Sequence, residues 1–205
     1  VMAVLVAPLI GLPLPFTPFQ ILWMNLVTDG VLGLGMSVEP AERDTMRRSP
    51  ISPKESIFAR GLALYIVWLG VLIGLIALGI GVWAFSTGQA AWQTMVLSSV
   101  IFAQIFQALA IRSNRDSLFT IGLLSNKPLL MSAAAVFVLQ LVVIYLPLTH
   151  ELFSTMPLTA GQLAITIAAS SLVLWVVELE KLWRRRSGRD HTPSDTGVSP
   201  TPIPG

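Results

Sequence analysis

The sequence predicts an all-α, polytopic transmembrane bundle of five full spanning helices plus a truncated one. Three observations carry this: a composition 54% hydrophobic and only 12% charged, long apolar runs with brief polar punctuation, and cations confined to alternate connections. A soluble domain carries about a quarter charged residues, so the mean hydropathy of +0.73 points to a bilayer rather than an aqueous surface. No cysteine occurs among the 205 residues, which excludes disulfides and thiolate metal sites. The net charge of +2 does not describe a nucleic-acid surface, because its basic residues are sorted by connection rather than gathered on one patch.

A spanning helix needs about 20 apolar residues. Phe19–Met36, Leu62–Phe85, Trp92–Ile111, Leu129–Leu148 and Gln162–Trp183 meet that length. Val1–Leu12 is too short and reads as a helix entered part-way, with no preceding basic residue and no initiator methionine. The thirteen Lys and Arg residues fall in three places. Arg43, Arg47, Arg48, Lys54 and Arg60 follow the first full span. Arg112, Arg115 and Lys127 follow the third, and Lys181, Arg184, Arg185, Arg186 and Arg189 close the last. The alternate connections Leu12–Pro18, Ser86–Ala91 and Thr149–Gly161 hold none. The positive-inside rule therefore puts the loops 39–60 and 112–127 and the C-terminal tail in the cytoplasm. Trp83 and Trp92, Tyr145, and Trp183 stand where interface aromatics belong. Residues 1–186 are thus expected to form one membrane domain, and residues 187–205, with four prolines and little that is apolar, a disordered cytoplasmic tail. The lipid bilayer is the first partner implied, and no nucleic acid is. A cysteine-free chain rich in Ala and Leu, with a Pro-rich tail, fits a bacterial plasma membrane.

Of eleven acidic residues only Asp29 lies well inside an apolar span. A carboxylate at that depth costs at least about 2.5–3.5 kcal/mol, so it needs a partner, usually a functional one. Its surroundings read Trp23-Met24-Asn25-Leu26-Val27-Thr28-Asp29-Gly30. Asn25, Thr28 and Asp29 stand at i, i+3 and i+4, which puts three oxygen-bearing side chains on one face of a regular helix. Gly30, Gly33 and Gly35 follow, and glycines within a span permit unwinding that offers carbonyl oxygens to a cation. Such hard oxygen ligands suit calcium, which takes about six to eight of them, so further ligands must come from elsewhere. Manganese accepts the same donors.

The string Pro13 to Gly30 resembles the sixth transmembrane helix of calcium-transporting P-type ATPases. The same family is resembled by Val38-Glu39-Pro40-Ala41-Glu42-Arg43-Asp44, Met46-Arg47-Arg48-Ser49-Pro50, Ala108-Leu109-Ala110-Ile111-Arg112-Ser113, Tyr145-Leu146-Pro147 and Glu178-Leu179-Glu180-Lys181. The resemblance covers roughly residues 1 to 183 and implies the fifth helix in part and the sixth to tenth complete. It implies Asn25, Thr28 and Asp29 as ligands of a transported Ca2+ ion. Where pumps of the sarcoplasmic-reticulum type carry a glutamate on the eighth helix, this chain has Gln104. A neutral amide offers an oxygen but no charge, so Gln104 is a further candidate ligand and one ion site rather than two is expected. An interhelical hydrogen bond is the alternative role for it. The resemblance further implies that the missing first to fifth helices and the cytoplasmic domains of the same pump are partners, with ATP and Mg2+ belonging to those domains. No Asp-Lys-Thr-Gly-Thr string and no glycine-rich phosphate loop occur in these residues, so no catalytic or cofactor-binding residue is expected here. The loop Glu39–Arg60 would couple the phosphorylation domain to the ion site.

Other features read more plainly. Gly70 and Gly74 form a G-x-x-x-G surface for close packing, which the resemblance places against the fifth helix, and Ala160, Ala164 and Ala168 form a similar stripe. Glu178, Glu180 and Lys181 read as solvated ion pairing at the cytoplasmic interface, and the basic run after Trp183 as a contact with anionic lipid. His150 and His191 have no second ligand at metal spacing. Two other classes of protein carry an intramembrane aspartate: an independent secondary transporter or channel, and a non-transporting membrane subunit in which Asp29 pairs with a partner helix. Neither accounts for the loop resemblance. The sequence directly upstream of Val1 separates all three.

Overall fold

The computed structural model describes residues 1–38, 62–111 and 126–186; residues 39–61 and 112–125 and the tail from 187 lie outside them. The described residues are helical, with no strand among them. In chain order the helices are α1 (Met2–Leu9), α2 (Pro18–Asn25), a π-helical segment (Leu26–Leu32), α3 (Gly33–Ser37), α4 (Leu62–Ser86), α5 (Trp92–Ala110), α6 (Lys127–Tyr145), α7 (Pro147–Phe153) and α8 (Ala160–Arg186). Four of them, α4, α5, α6 and α8, are long and apolar enough to cross a membrane.

The fifth expected span is present as an interrupted one. Pro18 to Ser37 runs as α2, π segment and α3 without leaving helical backbone, Leu26 and Gly33 both having right-handed helical angles. The run is long enough to span but is not one regular α-helix, which hydropathy alone does not reveal. A second difference lies at the end of α6. The apolar run was expected to reach Leu148, but the helix stops at Tyr145 because Pro147 forces Leu146 out of helical conformation, to ψ 119°. Pro147 then starts the short α7, which ends at Ser154 in the left-handed region with φ 50°.

α5 is the hub. Its Leu97, Ile101, Phe102, Ile105 and Ala108 pack on Val27 and Leu32 of the π segment and on Leu129, Ala133 and Val136 of α6. The opposite side carries Ala103 and Ala110, which meet Leu69 of α4 and Val173 and Val177 of α8. Serine and threonine cement these contacts, as expected where lipid supplies no hydrophobic drive between helices. Ser170 Oγ donates both to Ser99 O (3.0 Å) and to Thr166 O (2.7 Å). Outward faces are apolar instead: Leu64, Val67 and Leu75 of α4 and Leu172, Trp175 and Leu179 of α8 are exposed, which a bilayer tolerates and water does not.

The three connections that lack Lys and Arg meet at one end of the bundle. Gln93 Nε2 donates to Leu14 O (2.9 Å), Gln162 Nε2 to Gln89 Oε1 (2.7 Å), and Met156 N–H to Thr94 Oγ1 (2.9 Å). Charge sorting along the sequence thus corresponds to a real end of the molecule.

Small residues act where helices approach closely. A Cβ on Gly74 would lie 2.7 Å from Met2 Sδ, so this half of the G-x-x-x-G pair does receive α1, while a Cβ on Gly70 would meet nothing within 4 Å. The Ala160, Ala164, Ala168 stripe does not pack among the described residues: all three are exposed, and α8 meets α5 through Ser170, Val173 and Val177. At Gly35 a Cβ would sit 2.6 Å from Ser132 Oγ and 3.1 Å from Leu129 Cα. Gly35→Ala is therefore expected to destabilise by about 1–3 kcal/mol, as overpacking does, whereas Gly33→Ala, with open space at its Cβ, is expected to be neutral or slightly stabilising. Thermal unfolding of the two variants in one detergent checks the contrast.

Candidate functional site

The site is built by the interrupted span. Its entrance is fixed by sequence: Thr17 and Gln20 form a capping box, Gln20 N–H donating to Thr17 Oγ1 (3.3 Å) and Thr17 N–H to Gln20 Oε1 (3.1 Å), with Pro18 in the first turn. The helix then widens from Leu26 to Leu32, and Gly33 N–H reaches back to Thr28 O as well as to Gly30 O. π turns are rare and recur at functional sites. This one holds the only acidic side chain within the described spans before the C-terminal end of α8.

Widening the turn changes which side chains share a face. Each residue of a π turn advances by a smaller angle than in an α-helix, so positions four apart stay aligned while a position three apart falls behind. Asn25 and Asp29 are accordingly both exposed, on a face that no described element covers. Thr28, expected beside them, is buried on the packed side with Val27. Its hydroxyl donates to Met24 O at 2.7 Å. That bond uses the hydroxyl proton and leaves the oxygen lone pairs available. The structure thus brings two of the three predicted ligands onto one face and turns the third inward.

Gln104 lies on α5, three residues beyond Ile101, at the edge of the face that packs on the π segment. Its Oε1 is buried and has no hydrogen-bond partner among the described residues. An orphaned buried acceptor is costly, and the interhelical hydrogen bond considered for this side chain is not made through that oxygen. No group of three or more His, Cys, Asp or Glu residues that could hold a metal ion occurs among the described residues. His150, unassigned in the sequence, has Nε2 2.9 Å from Ile144 O. His191 and the loop Glu39–Arg60 lie outside the described residues.

Two polar groups were missed or misread. Gln140, fully buried in mid-α6, links Trp23 Nε1 (3.1 Å to its Oε1) to Ser98 Oγ (3.0 Å from its Nε2). The available signal was an amide in the middle of an apolar run. Glu178 and Lys181 are not a solvated pair: they are 4% and 7% exposed, with Nζ to Oε1 at 2.9 Å, and Lys181 also donates to Ala110 O at the end of α5. The end of α5 lands on them and excludes water, a long-range contact that charge spacing does not show.

Comparison with known proteins agrees with this architecture. The family described as Cation transporting ATPase, C-terminus, matches residues 13–183. The chain is 34% identical over 189 residues to a calcium-transporting ATPase of Bacillus subtilis, covering 91% of this chain and 21% of that protein. It is 34% identical over 178 residues to the mouse calcium-transporting ATPase type 2C member 2 (85% and 19%), and 32% identical over 195 residues to calcium-transporting ATPase 1 of Yarrowia lipolytica (93% and 21%). The chain spans about a fifth of the length of these relatives. With its apolar helices and its match over most of its length, the chain is an integral membrane protein that belongs to the cation-transporting ATPase C-terminal family.

Proposed function

We propose that this chain is the membrane-embedded C-terminal part of an ATP-driven pump that transports calcium, and that Asn25, Thr28 and Asp29 are ligands of the ion. The observation that carries the proposal is the π turn: an intramembrane carboxylate sits in a distorted helix, in a chain of a cation-transporting family. The ion and the energy source are taken from the relatives, which are calcium-transporting ATPases.

In this reading Asp29 supplies the charge, Asn25 a neutral amide oxygen from the same face, and Thr28 a lone pair from the side. Gln104 contributes its unpartnered Oε1. A widened turn also loosens main-chain carbonyls that a regular helix would hold. Calcium needs about six to eight oxygens, so the exposed face of Asn25 and Asp29 is where the other helices of the pump complete the shell. Phosphorylation of an aspartate in the cytoplasmic part would switch the access of this site from one side of the membrane to the other, with the loops 39–60 and 112–127 and the tail on the cytoplasmic side. ATP and Mg2+ act only there. Manganese is the alternative cargo with matching ligand chemistry.

ATP-dependent calcium uptake into vesicles carrying the intact protein tests the function, and uptake driven by an ion gradient without ATP would replace the pump with a secondary transporter. With one carboxylate and one amide in place of two acids, one calcium ion is expected per phosphoenzyme. Isotope counting on the intact protein gives that ratio, and a value of two rejects the single site.

A further inference from the structure

The two halves of the interrupted span are held by α6 and by the short α7 that follows it. On the entry side, Gln20 Nε2 donates to Phe153 O (2.7 Å), and the Trp23 ring lies against the Phe153 ring with centroids 5.2 Å apart. Trp23 Nε1 donates to Gln140 Oε1 (3.1 Å), and Gln140 Nε2 donates onward to Ser98 Oγ on α5 (3.0 Å). On the far side, α3 is seated on α6 through the close approach of Gly35 to Ser132 and Leu129. Between these anchors no described element covers the ligand side of the π segment: Asn25 and Asp29 are exposed, and a Cβ on Gly30 would meet nothing within 4 Å.

Gln140 is an unusual group to bury completely in the middle of a membrane helix. An unpaired amide there is costly, and both its ends are used. A carboxamide accepts from the indole N–H through its oxygen and donates to the hydroxyl oxygen through its nitrogen, two separate atoms that bridge the two helices, which an apolar side chain of that size cannot do. The bond chain ties α6, α5 and α2 at one level, two residues before Asn25.

We propose that Gln140 is a positioning residue of the ion site: by fixing Trp23 it sets where the π turn begins, and so the spacing of Asn25 and Asp29. This rests on the reading of those two residues as ligands. Without the tether, α2 samples more orientations, and part of the ion's binding free energy goes into ordering its ligands.

Gln140→Leu and Trp23→Phe each remove the shared hydrogen bond. In the intact pump each is expected to raise the calcium concentration for half-maximal phosphorylation from ATP by about threefold to tenfold. The maximal phosphoenzyme level at saturating calcium stays near that of the unmodified protein. Because both variants break the same bond, the double variant is expected to shift no further than the larger single one. A fall in phosphoenzyme level with unchanged half-activating calcium overturns the proposal, since a purely structural role lowers the number of active pumps and not their affinity. Trp23→Phe keeps the ring against Phe153 and carries the test alone if Gln140→Leu does not assemble. Asp29→Asn is run beside them. If it leaves calcium dependence intact, the ligand reading fails. If it abolishes that dependence while both tether variants keep normal half-activating calcium, the positioning role alone fails.

Discussion

Asp29→Asn in the intact protein is expected to abolish calcium-dependent phosphorylation from ATP. The substitution keeps shape and polarity, and Asp29 makes no hydrogen bond or ion pair among the described residues, so folding is expected to survive. What is lost is the single formal charge that the described spans offer a divalent ion in mid-helix. An amide oxygen replaces a carboxylate as ligand but not as counter-charge, and in a partly dehydrated site the charge dominates the attraction. Half-activating calcium should rise at least about a hundredfold. Phosphorylation from inorganic phosphate, which needs no bound calcium in the proposed cycle, serves as the control for intact protein. A variant with unchanged calcium dependence removes Asp29 from the site.

The second large effect is on stability. Lys181→Met removes the ammonium 2.9 Å from the Glu178 carboxylate, which is buried at 4% exposure, and also removes the donor to Ala110 O at the end of α5. Removing one partner of a buried ion pair costs about 3–5 kcal/mol, because the buried charge that remains loses a close counter-charge. Loss of a cation at a helix C-terminus adds to this. The combined change Lys181→Met with Glu178→Leu removes both charges of the pair and is expected to recover more than half of the loss. Thermal midpoints of the single and double variants in one detergent decide it. Equal midpoints for Lys181→Met and the unmodified chain would show that the pair is solvated after all.

The membrane architecture was legible in the sequence because hydropathy and cation sorting are properties of composition. Four spans stand close to where the apolar runs put them, and the cation-free connections meet at one end. What hydropathy cannot encode is helix type. Phe19–Met36 reads as one span because its residues are apolar, yet its backbone widens at Leu26. The glycines at 30, 33 and 35 hinted at this, but only Gly35 has a close-packing reason. The same widening explains Thr28, whose place beside Asn25 and Asp29 was inferred from regular helical spacing. Glu178 and Lys181 show the other limit. Their i, i+3 spacing beside three arginines describes an exposed pair equally well, and only the arrival of Ala110 from 71 residues away makes it buried. Gln140 was visible as a polar residue in an apolar run, but its two partners lie on different helices, 117 and 42 residues distant in sequence.

The wide turn between Leu26 and Leu32 also constrains insertion and deletion. It accommodates one residue more than a regular α-helix would between the same fixed ends. Deleting any single residue there would let the backbone close into ordinary α-helix while Trp23 and Gly35 kept their places on α6. Length change at this position is therefore buffered by helix type, whereas a deletion on either flank would have to slide a packed helix by a residue. Descendants of this chain should tolerate indels inside the wide turn without losing the bundle, and would pass from one spacing of oxygen donors to another in a single genetic step.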